Sequence, residues 1–342
     1  MPKFSLIIPV YNVGKYVYRC LESISKQSFS DFEAIVIDDG STDESGKICD
    51  EFALKDKRIK VIHKKNGGVS SASNKGLDSA NGELIYFVDG DDWIEENTLE
   101  EIIKVFSKHP NADVFSFNYI FNYDNESKKS IPLTEGTFEG IQKDHLILAT
   151  IIPKFIERKY NYKLPGIRSK CVKAFKRKII EENKIRFNEK IPIGEDALFC
   201  SKVLSQAKTV VHRNSYLYHY RVYTQSCNRK YRDQWDYVFE RVKCISSDSK
   251  ITQNKDYNNV MSTFIFAVIK RILQTYLLHQ NNQMSDKEKI EFLKDFTSNE
   301  NFPKTTISLE MVKLVPEYVP FLFAIKYKLF RSLLFLGKFF FK

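Results

Sequence analysis

The chain begins by alternating unbroken apolar runs with stretches of helical spacing. Phe4–Val10 is a continuous apolar run that ends at Asn12 and Gly14, so it predicts a buried strand leading into a loop. Tyr16–Gln27 places Val17, Cys20, Leu21 and Ile24 on one helical face. Phe32–Ile37 predicts a second strand, and Ser41, Thr42 and Asp43 are candidate caps for a helix through Ala53. Ile59–His63 predicts a third strand. The glycine turn Asn66-Gly67-Gly68 leads into a helix at 71–79, and Glu83–Val88 predicts a fourth strand. This βαβαβαβ order predicts an α/β fold: a mostly parallel sheet with helices on both faces and right-handed crossovers.

The periodicity then loosens. Trp93–Phe106 reads as a helix, and Asp113–Ile120 as a strand antiparallel to its neighbour. A polar excursion covers Asp124–Pro132 and a helix covers Lys143–Ile152. Ser169–Arg177 reads as a basic edge strand or turn, and a helix runs from the turn at Gly194 through Ser205. Thr209–His212 predicts a short strand. In the alternating stretch after it, Tyr216, Tyr218 and Tyr220 share one face. From Tyr231 the period is helical, most clearly over Trp235–Ser246, Val260–Leu278 and Lys287–Phe296. The predicted organisation is a domain at 1–228 (halves 1–95 and 96–228), a helical appendage at 229–320 and a cationic aromatic tail at 321–342.

Two predicted strands run straight into acids: Asp38-Asp39-Gly40-Ser41-Thr42-Asp43 and Asp89-Gly90-Asp91-Asp92. An unpaired carboxylate is too costly inside a sheet, so both clusters belong where the strands leave it. In a parallel sheet those ends share one edge, where ligands of open α/β sheets bind. Asp-x-Asp suits a hard cation such as Mg²⁺ or Mn²⁺ held together with substrate phosphates. There is no G-x-G-x-x-G after the first strand and no G-x-x-x-x-G-K-[ST], so a dehydrogenase-type dinucleotide fold and a P-loop are set aside. Each cluster also has a plainer reading, as a helix cap or a solvated turn. The concurrence of both at one edge argues against it.

Ile8-Pro9-Val10-Tyr11-Asn12, Asp38–Asp43, Asn66–Ser70, Asn74-Lys75-Gly76 and Asp89–Asp92, in this order and spacing, resemble glycosyltransferase family 2, which has the GT-A fold. The resemblance implies an inverting transferase that moves a sugar from a nucleotide diphosphate to an acceptor hydroxyl with Mn²⁺ or Mg²⁺. By position it implies that Pro9, Tyr11 and Asn12 form the nucleoside loop and that Asp39 bonds the base, usually uracil. Asn66 and Lys75 fall in its donor-binding motifs. Asp91 would ligate the metal. Asp89 would contact ribose or support the metal shell, and Asp92 would face the donor sugar or acceptor. Ser73 departs from the family's frequent arginine, so another basic residue would have to take that role.

Gly194-Glu195-Asp196-Ala197-Leu198-Phe199 resembles the family's Gly-Glu-Asp-x-x-Phe, where the catalytic base resides. Read by physics alone, two acids in a helix's first turn are equally well a response to the macrodipole. Inversion needs one carboxylate to take the acceptor's proton. The resemblance implies Asp196 for this role, with Glu195 orienting, or the two exchanged. Lys173 matches a repeated family lysine. Arg221 and Ser226 match a Tyr-x-Tyr-Arg-x-x-x-x-Ser pattern that implies donor-diphosphate contacts. His212 or His219 could complete a metal shell, although a lone histidine is more often an ordinary hydrogen-bonded residue.

Composition narrows the rest. The formal charge is +10, with 43% hydrophobic and 28% charged residues, which is globular and moderately basic. Positive charge is not interleaved with aromatics in the α/β region, so nucleic acid is not the expected partner. The six cysteines form no C-x-x-C pair, and no basic n-region precedes the first strand, so a reducing cytosol is expected. No uncharged apolar run reaches the length of a membrane span. Phe321–Lys342 is nonetheless aromatic and basic without an acid, and Phe323, Tyr327, Phe330, Leu334 and Phe341 can share one helical face. That predicts an in-plane helix on the anionic inner leaflet, or else a helix packed on the protein or on a homo-oligomer partner.

The expectation is a cytoplasmic, peripherally membrane-bound glycosyltransferase. It would use a nucleotide-sugar donor, UDP-linked, and a saccharide acceptor on a lipid carrier, in capsule or other cell-surface glycan synthesis. The alternatives are a sugar-phosphate nucleotidyltransferase, whose glycine-rich basic loop after the first strand is absent here, and a non-catalytic nucleotide- or membrane-binding protein.

Overall fold

The fold is described from a computed structural model covering residues 1–132, 134–164, 166–223 and 231–340. The first apolar run becomes β1 (Phe4–Val10), every residue of which is buried. It lies between β2 (Phe32–Asp38) and β4 (Leu84–Phe87) and is parallel to both, while β3 (Ile59–His63) extends the sheet beyond β2. The crossovers are α1 (Gly14–Ser25), α2 (Ser45–Lys55) and α3 (Val69–Ser79). The buried face of α1 is Val17, Cys20, Leu21 and Ile24, as its spacing predicts. The chain steps from β1 outward to β2 and β3, then returns to place β4 on the other side of β1. The β1/β4 boundary is therefore the topological switch point, and both strands point their carboxyl ends at it.

The later half departs from its pattern in four places. Trp93–Ile94 is a short strand, β5, and the helix α4 begins only at Thr98 (Thr98–Lys108). An antiparallel pairing of Trp93 with His219 accounts for the difference, because tertiary pairing overrides a helical pattern. β6 (Val114–Asn122) is followed by β7 (Ser127–Lys129), β8 (Gly136–Phe138), α5 (Gly140–Ile151) and α6 (Pro153–Tyr160). After these come β9 (Lys173–Lys176), α7 (Arg177–Glu182), α8 (Glu195–Gln206) and β10 (Val210–Arg221). β6 is antiparallel to β9 and β7 as expected, but it is parallel to β10. β9 is not an edge strand. It lies between β4 and β6, antiparallel to both, and its lysine Lys173 is fully buried. Thr209–His212 and Tyr216–Arg221 belong to one long strand, β10, which carries register shifts between His212 and Tyr218. Among the described residues the strand order is β3-β2-β1-β4-β9-β6-β10-β5, with β7 on β6 and β8 on β10.

Two compact units divide the chain. The first is Met1–Thr150 with Tyr162–Tyr223 and holds the whole sheet. The second is Ile151–Asn161 with the described part of Thr224–Lys342, so α6 belongs to it. Its other helices are α9 (Tyr237–Ser246), α10 (Ser249–Thr252), α11 (Tyr257–Ile272), α12 (Asp286–Ser298), α13 (Leu309–Leu314), α14 (Val319–Lys326) and α15 (Phe330–Phe340). A π-helical turn, Leu273–Leu277, continues α11. The stretch Tyr257–Leu277 is long and apolar enough to cross a membrane, yet 61% of its apolar window is buried inside the fold, as in a core helix. A capping box of Ser285 and Glu288 starts α12.

The tail does not form one helix. Lys328 adopts a left-handed conformation, φ 55°, which ends α14 and redirects the chain into α15. Phe330 and Leu334 pack inward while Phe323 and Tyr327 are exposed, so the single shared face read from spacing does not exist. Phe341 lies outside the described residues.

Candidate active site

The loops leaving β1, β2 and β4 meet at the switch point. After β1, Tyr11 is 50% exposed, Pro9 is buried and Asn12 turns left-handed at φ 51°. The Asn12 N–H donates to Ser41 Oγ (3.1 Å), and its Oδ1 accepts from the Thr42 N–H (2.8 Å). The first two loops are thereby locked together. Gly90 sits at close quarters: a Cβ there would lie 3.0 Å from Val10 Cγ2 and 3.1 Å from Pro9 O.

Asp39 sits at the end of β2, buried, with its carboxylate fully engaged. It accepts from the Gly67 N–H (3.0 Å) and the Gly68 N–H (2.7 Å), and Lys64 Nζ pairs with it. Asn66 contributes through Nδ2, which donates to the Asp39 carbonyl at 3.0 Å. Gly68, at φ 87°, has the backbone freedom this cradle needs. Lys75 is exposed on α3. Ser73, where the family often has arginine, is fully buried.

The three acids after β4 occupy three different environments. Asp92 is buried: its Oδ2 accepts from Tyr218 OH (2.6 Å) and its Oδ1 from the Arg221 N–H (2.7 Å). It therefore ties the β4 loop to β10, with each oxygen accepting from a neighbour in the fold. Burial, then the charges of Asp91 and Asp89, push its carboxyl well above the usual range. Asp91 is less enclosed. Tyr223 OH donates to its Oδ2 (3.0 Å), and burial followed by the Asp89 charge raises its pKa. Arg221 donates from Nε to the Asp91 carbonyl (2.9 Å) and lies over the rings of Tyr16 (4.7 Å) and Trp93 (4.9 Å). Ser226 falls outside the described residues.

Asp89 leads to the second half of the site. Its Oδ1 accepts from Lys170 Nζ at 3.0 Å, and the same ammonium lies 3.2 Å from Asp196 Oδ1. The Lys170 N–H also reaches Asp196 Oδ2, at 3.4 Å. The lysine side chain is 2% exposed, whereas those of Asp89 and Asp196 are 35% and 23% exposed. The cation thus forms a floor beneath two carboxylates that open to solvent. A buried ammonium must be paired, and here the two acids hold its pKa well above the usual lysine range against burial. Lys173 supports the turn from below, donating to Gly166 O (3.0 Å) and Ser169 O (2.8 Å).

Glu195 and Asp196 open α8, after Gly194 at φ 83°. Burial raises the Asp196 pKa, and Lys170 opposes that shift. Glu195 is pushed up to about 7, first by burial and then by the charge of Asp196. Both acids keep enough exposure to meet a ligand.

The two histidines singled out by the sequence are engaged within the fold. His212 is buried, with Nδ1 against Ser116 Oγ (3.3 Å) and Nε2 against Asn214 Oδ1 (3.4 Å). His219 stacks on Trp93 (4.8 Å) and bonds Glu95 through Nε2 (2.8 Å). Among the described residues no three His, Cys, Asp or Glu side chains converge into a metal cage. Mg²⁺ and Mn²⁺ do not require one, since one or two carboxylates with substrate phosphates suffice. Asp91 fits that mode, because its charge is under-compensated by the protein alone.

Sequence reasoning missed Lys170, Tyr218 and Tyr223. The signal for Lys170 was present: a charged residue beside the apolar pair Cys171-Val172 must find a partner.

Comparison with known proteins agrees with this architecture. EpsH of Bacillus subtilis is 31% identical over 233 residues, which is 68% of this chain and 64% of that protein. The glycosyltransferase GlyA of Streptococcus pneumoniae is 31% identical over 250 residues, 72% of this chain and 35% of that protein. The chain therefore spans less than two thirds of the length of these curated relatives. Staphylococcus aureus TarS, solved in complex with UDP-GlcNAc, superposes with a TM-score of 0.69 at 22% identity, covering 98% of this chain and 90% of that one. This likeness establishes the GT-A fold. The model of the family described as glycosyl transferase family 2 matches residues 5–183, from β1 to just past α7 and more than half of the chain, and the chain belongs to that family.

Proposed function

We propose that the chain is an inverting, metal-dependent glycosyltransferase. It would take a sugar from a nucleotide-diphosphate donor, UDP-linked, to a hydroxyl of a saccharide acceptor carried on a lipid, in cell-surface glycan synthesis. The observation that carries this reading is the Lys170 floor. It brings a donor-side acid, Asp89, and a later acid, Asp196, to one open site. The UDP-GlcNAc bound to TarS supports the donor class.

Tyr11 offers an exposed ring to the base, and the Asp39 cradle holds the loop beside it. Asp91 would hold Mg²⁺ or Mn²⁺, with Asp89 in support. When bound, the ion supplies neutralisation of charge developing on the leaving diphosphate. Arg221, stacked between two rings, adds a fixed positive charge on the same side.

Asp196 takes the acceptor proton. Its burial makes it more basic than a solvated aspartate, and Lys170 opposes that shift. The acceptor oxygen attacks the anomeric carbon from the face opposite the nucleotide, a C–O bond forms, and the bond to the diphosphate breaks. Glu195 orients the acceptor. A second reading exchanges the two acids, favoured by a Glu195 pKa near operating pH.

The test is a panel of nucleotide sugars with and without Mn²⁺, followed by thermal shift and by nucleotide release. Metal-dependent release from one donor is expected, and it is lost in Asp91→Asn and Asp196→Asn. Full activity in Asp196→Asn with loss in Glu195→Gln would exchange the roles. Nucleotide transfer onto a sugar phosphate would replace the proposal with the nucleotidyltransferase.

A further inference from the structure

The last two helices of the second unit are apolar on more than the face they bury. α15 packs Phe330, Leu333, Leu334 and Gly337 inward. Gly337 is at close quarters there, since a Cβ would lie 3.1 Å from Leu273 Cδ1. That face accounts for the packing. A second row remains outside: Phe335 is 66% and Phe339 is 73% exposed. On α14 and the bend after it, Phe323 and Tyr327 are also exposed, with ring centroids 4.5 Å apart. Exposed aromatic rings gathered on two adjacent short helices are candidates for a docking face.

Charge says what docks. Lys326, Lys328 and Arg331 are exposed among these rings, and α14–α15 contain no acid. Beside them a groove of 690 Å³ runs between α12 and α15. Its floor includes Ile290 and Leu334, and its rim carries Lys287, Lys294 and Arg331 with one further acid, Glu291. Lys338 is paired there with Asp286 at 2.7 Å. Among the described residues no carboxylate pairs with Lys287, Lys294, Lys326, Lys328 or Arg331. An apolar base under a rim in which cations outnumber acids complements a phosphate head group with acyl chains.

We infer that this face of the second unit seats on an anionic bilayer. The exposed rings enter the head-group boundary, and the α12–α15 groove holds one lipid phosphate. A second copy of the chain is the poorer occupant, since apposing this face with itself sets cation against cation. The inference deepens the proposal of a lipid-borne acceptor and is independent of donor chemistry.

Flotation of the full chain with vesicles tests it. Binding is expected on phosphatidylcholine vesicles containing phosphatidylglycerol, with little on phosphatidylcholine alone and a decline as salt rises. Lys326→Gln/Lys328→Gln/Arg331→Gln is expected to cut partitioning by roughly a hundredfold, and Lys287→Gln/Lys294→Gln by roughly tenfold or more. Phe335→Ser/Phe339→Ser should lower binding at every salt concentration. All these positions are surface ones, and thermal shift with UDP on each variant checks that the fold and the donor site persist. A chain that binds UDP but floats equally on neutral vesicles overturns the inference and leaves the transferase reading standing. So does inorganic phosphate binding without flotation, or a lipid-free dimer that Phe335→Ser/Phe339→Ser dissociates.

Discussion

Lys170 Nζ lies 3.2 Å from Asp196 Oδ1, while the same nitrogen accounts for Asp89 Oδ1 at 3.0 Å. One buried cation therefore fixes the separation of the two acids that the transfer reading assigns to opposite substrates. Breaking a buried pair is usually destabilising because a lone charge stays behind. Here the remaining charges would be two partly solvated carboxylates, and the ammonium's own desolvation cost disappears. Lys170→Met is expected to unfold within a few degrees of the parent and to lose about 100-fold or more in kcat, as misplaced catalytic groups do. A large fall in Tm with activity retained at low temperature would make Lys170 a structural residue only.

The Glu195 carboxyl, raised to about 7, makes two linked predictions. A folded-state pKa above the unfolded value means the folded state holds more protons across that interval, so stability falls as pH rises through it. Glu195→Gln should accordingly raise Tm at pH 8 more than at pH 5. If Glu195 takes part in proton transfer, the rate profile has an inflection near pH 7 that Glu195→Gln removes. An unchanged inflection assigns it to another group.

His212 is buried as a neutral ring, and burial lowers its pKa to about 4. The unfolded chain takes up that proton near 6.5. Between these values the unfolded state binds more protons, so stability is lost as pH falls from about 6.5 to about 4, by at most ~3 kcal/mol. Urea unfolding of the parent and of His212→Asn at pH 7 and pH 5 measures this: the variant should show the smaller acid loss.

Tyr11 is half exposed where the β1 loop faces the switch point. Stacking of a base on an aromatic ring contributes about 1–3 kcal/mol. Tyr11→Ala should therefore weaken UDP binding about tenfold or more, and Tyr11→Phe should preserve it. Calorimetric titration distinguishes the two. Equal affinity in all three proteins would remove Tyr11 from the donor site.

The first four strands and their aspartate-rich ends were legible because each is a local pattern. Apolar runs, helical spacing and turn residues within a few positions sufficed to place Asp38–Asp43 and Asp89–Asp92 at one edge. The later strands were less legible. β9 is a four-residue segment whose burial comes from insertion between β4 and β6, so its lysines looked like a basic edge. The fold contacts of Asp92 were illegible for a related reason. Its partners lie on β10, 126 and 129 residues away, and no local spacing distinguishes a carboxylate tied to Tyr218 from one aimed at a sugar.

The amino-acid order by itself determined the parallel α/β half, the glycines its loops need, and the family to which those loops belong. Such features depend on backbone propensity and on apolar periodicity over one element at a time. Tertiary structure alone decided that Lys170 joins acids 81 and 26 residues away, and that the tail packs one apolar face while leaving another open. The reason is physical: the position of a buried charge, and the choice between two apolar faces, depend on which surfaces remote segments bring up to them.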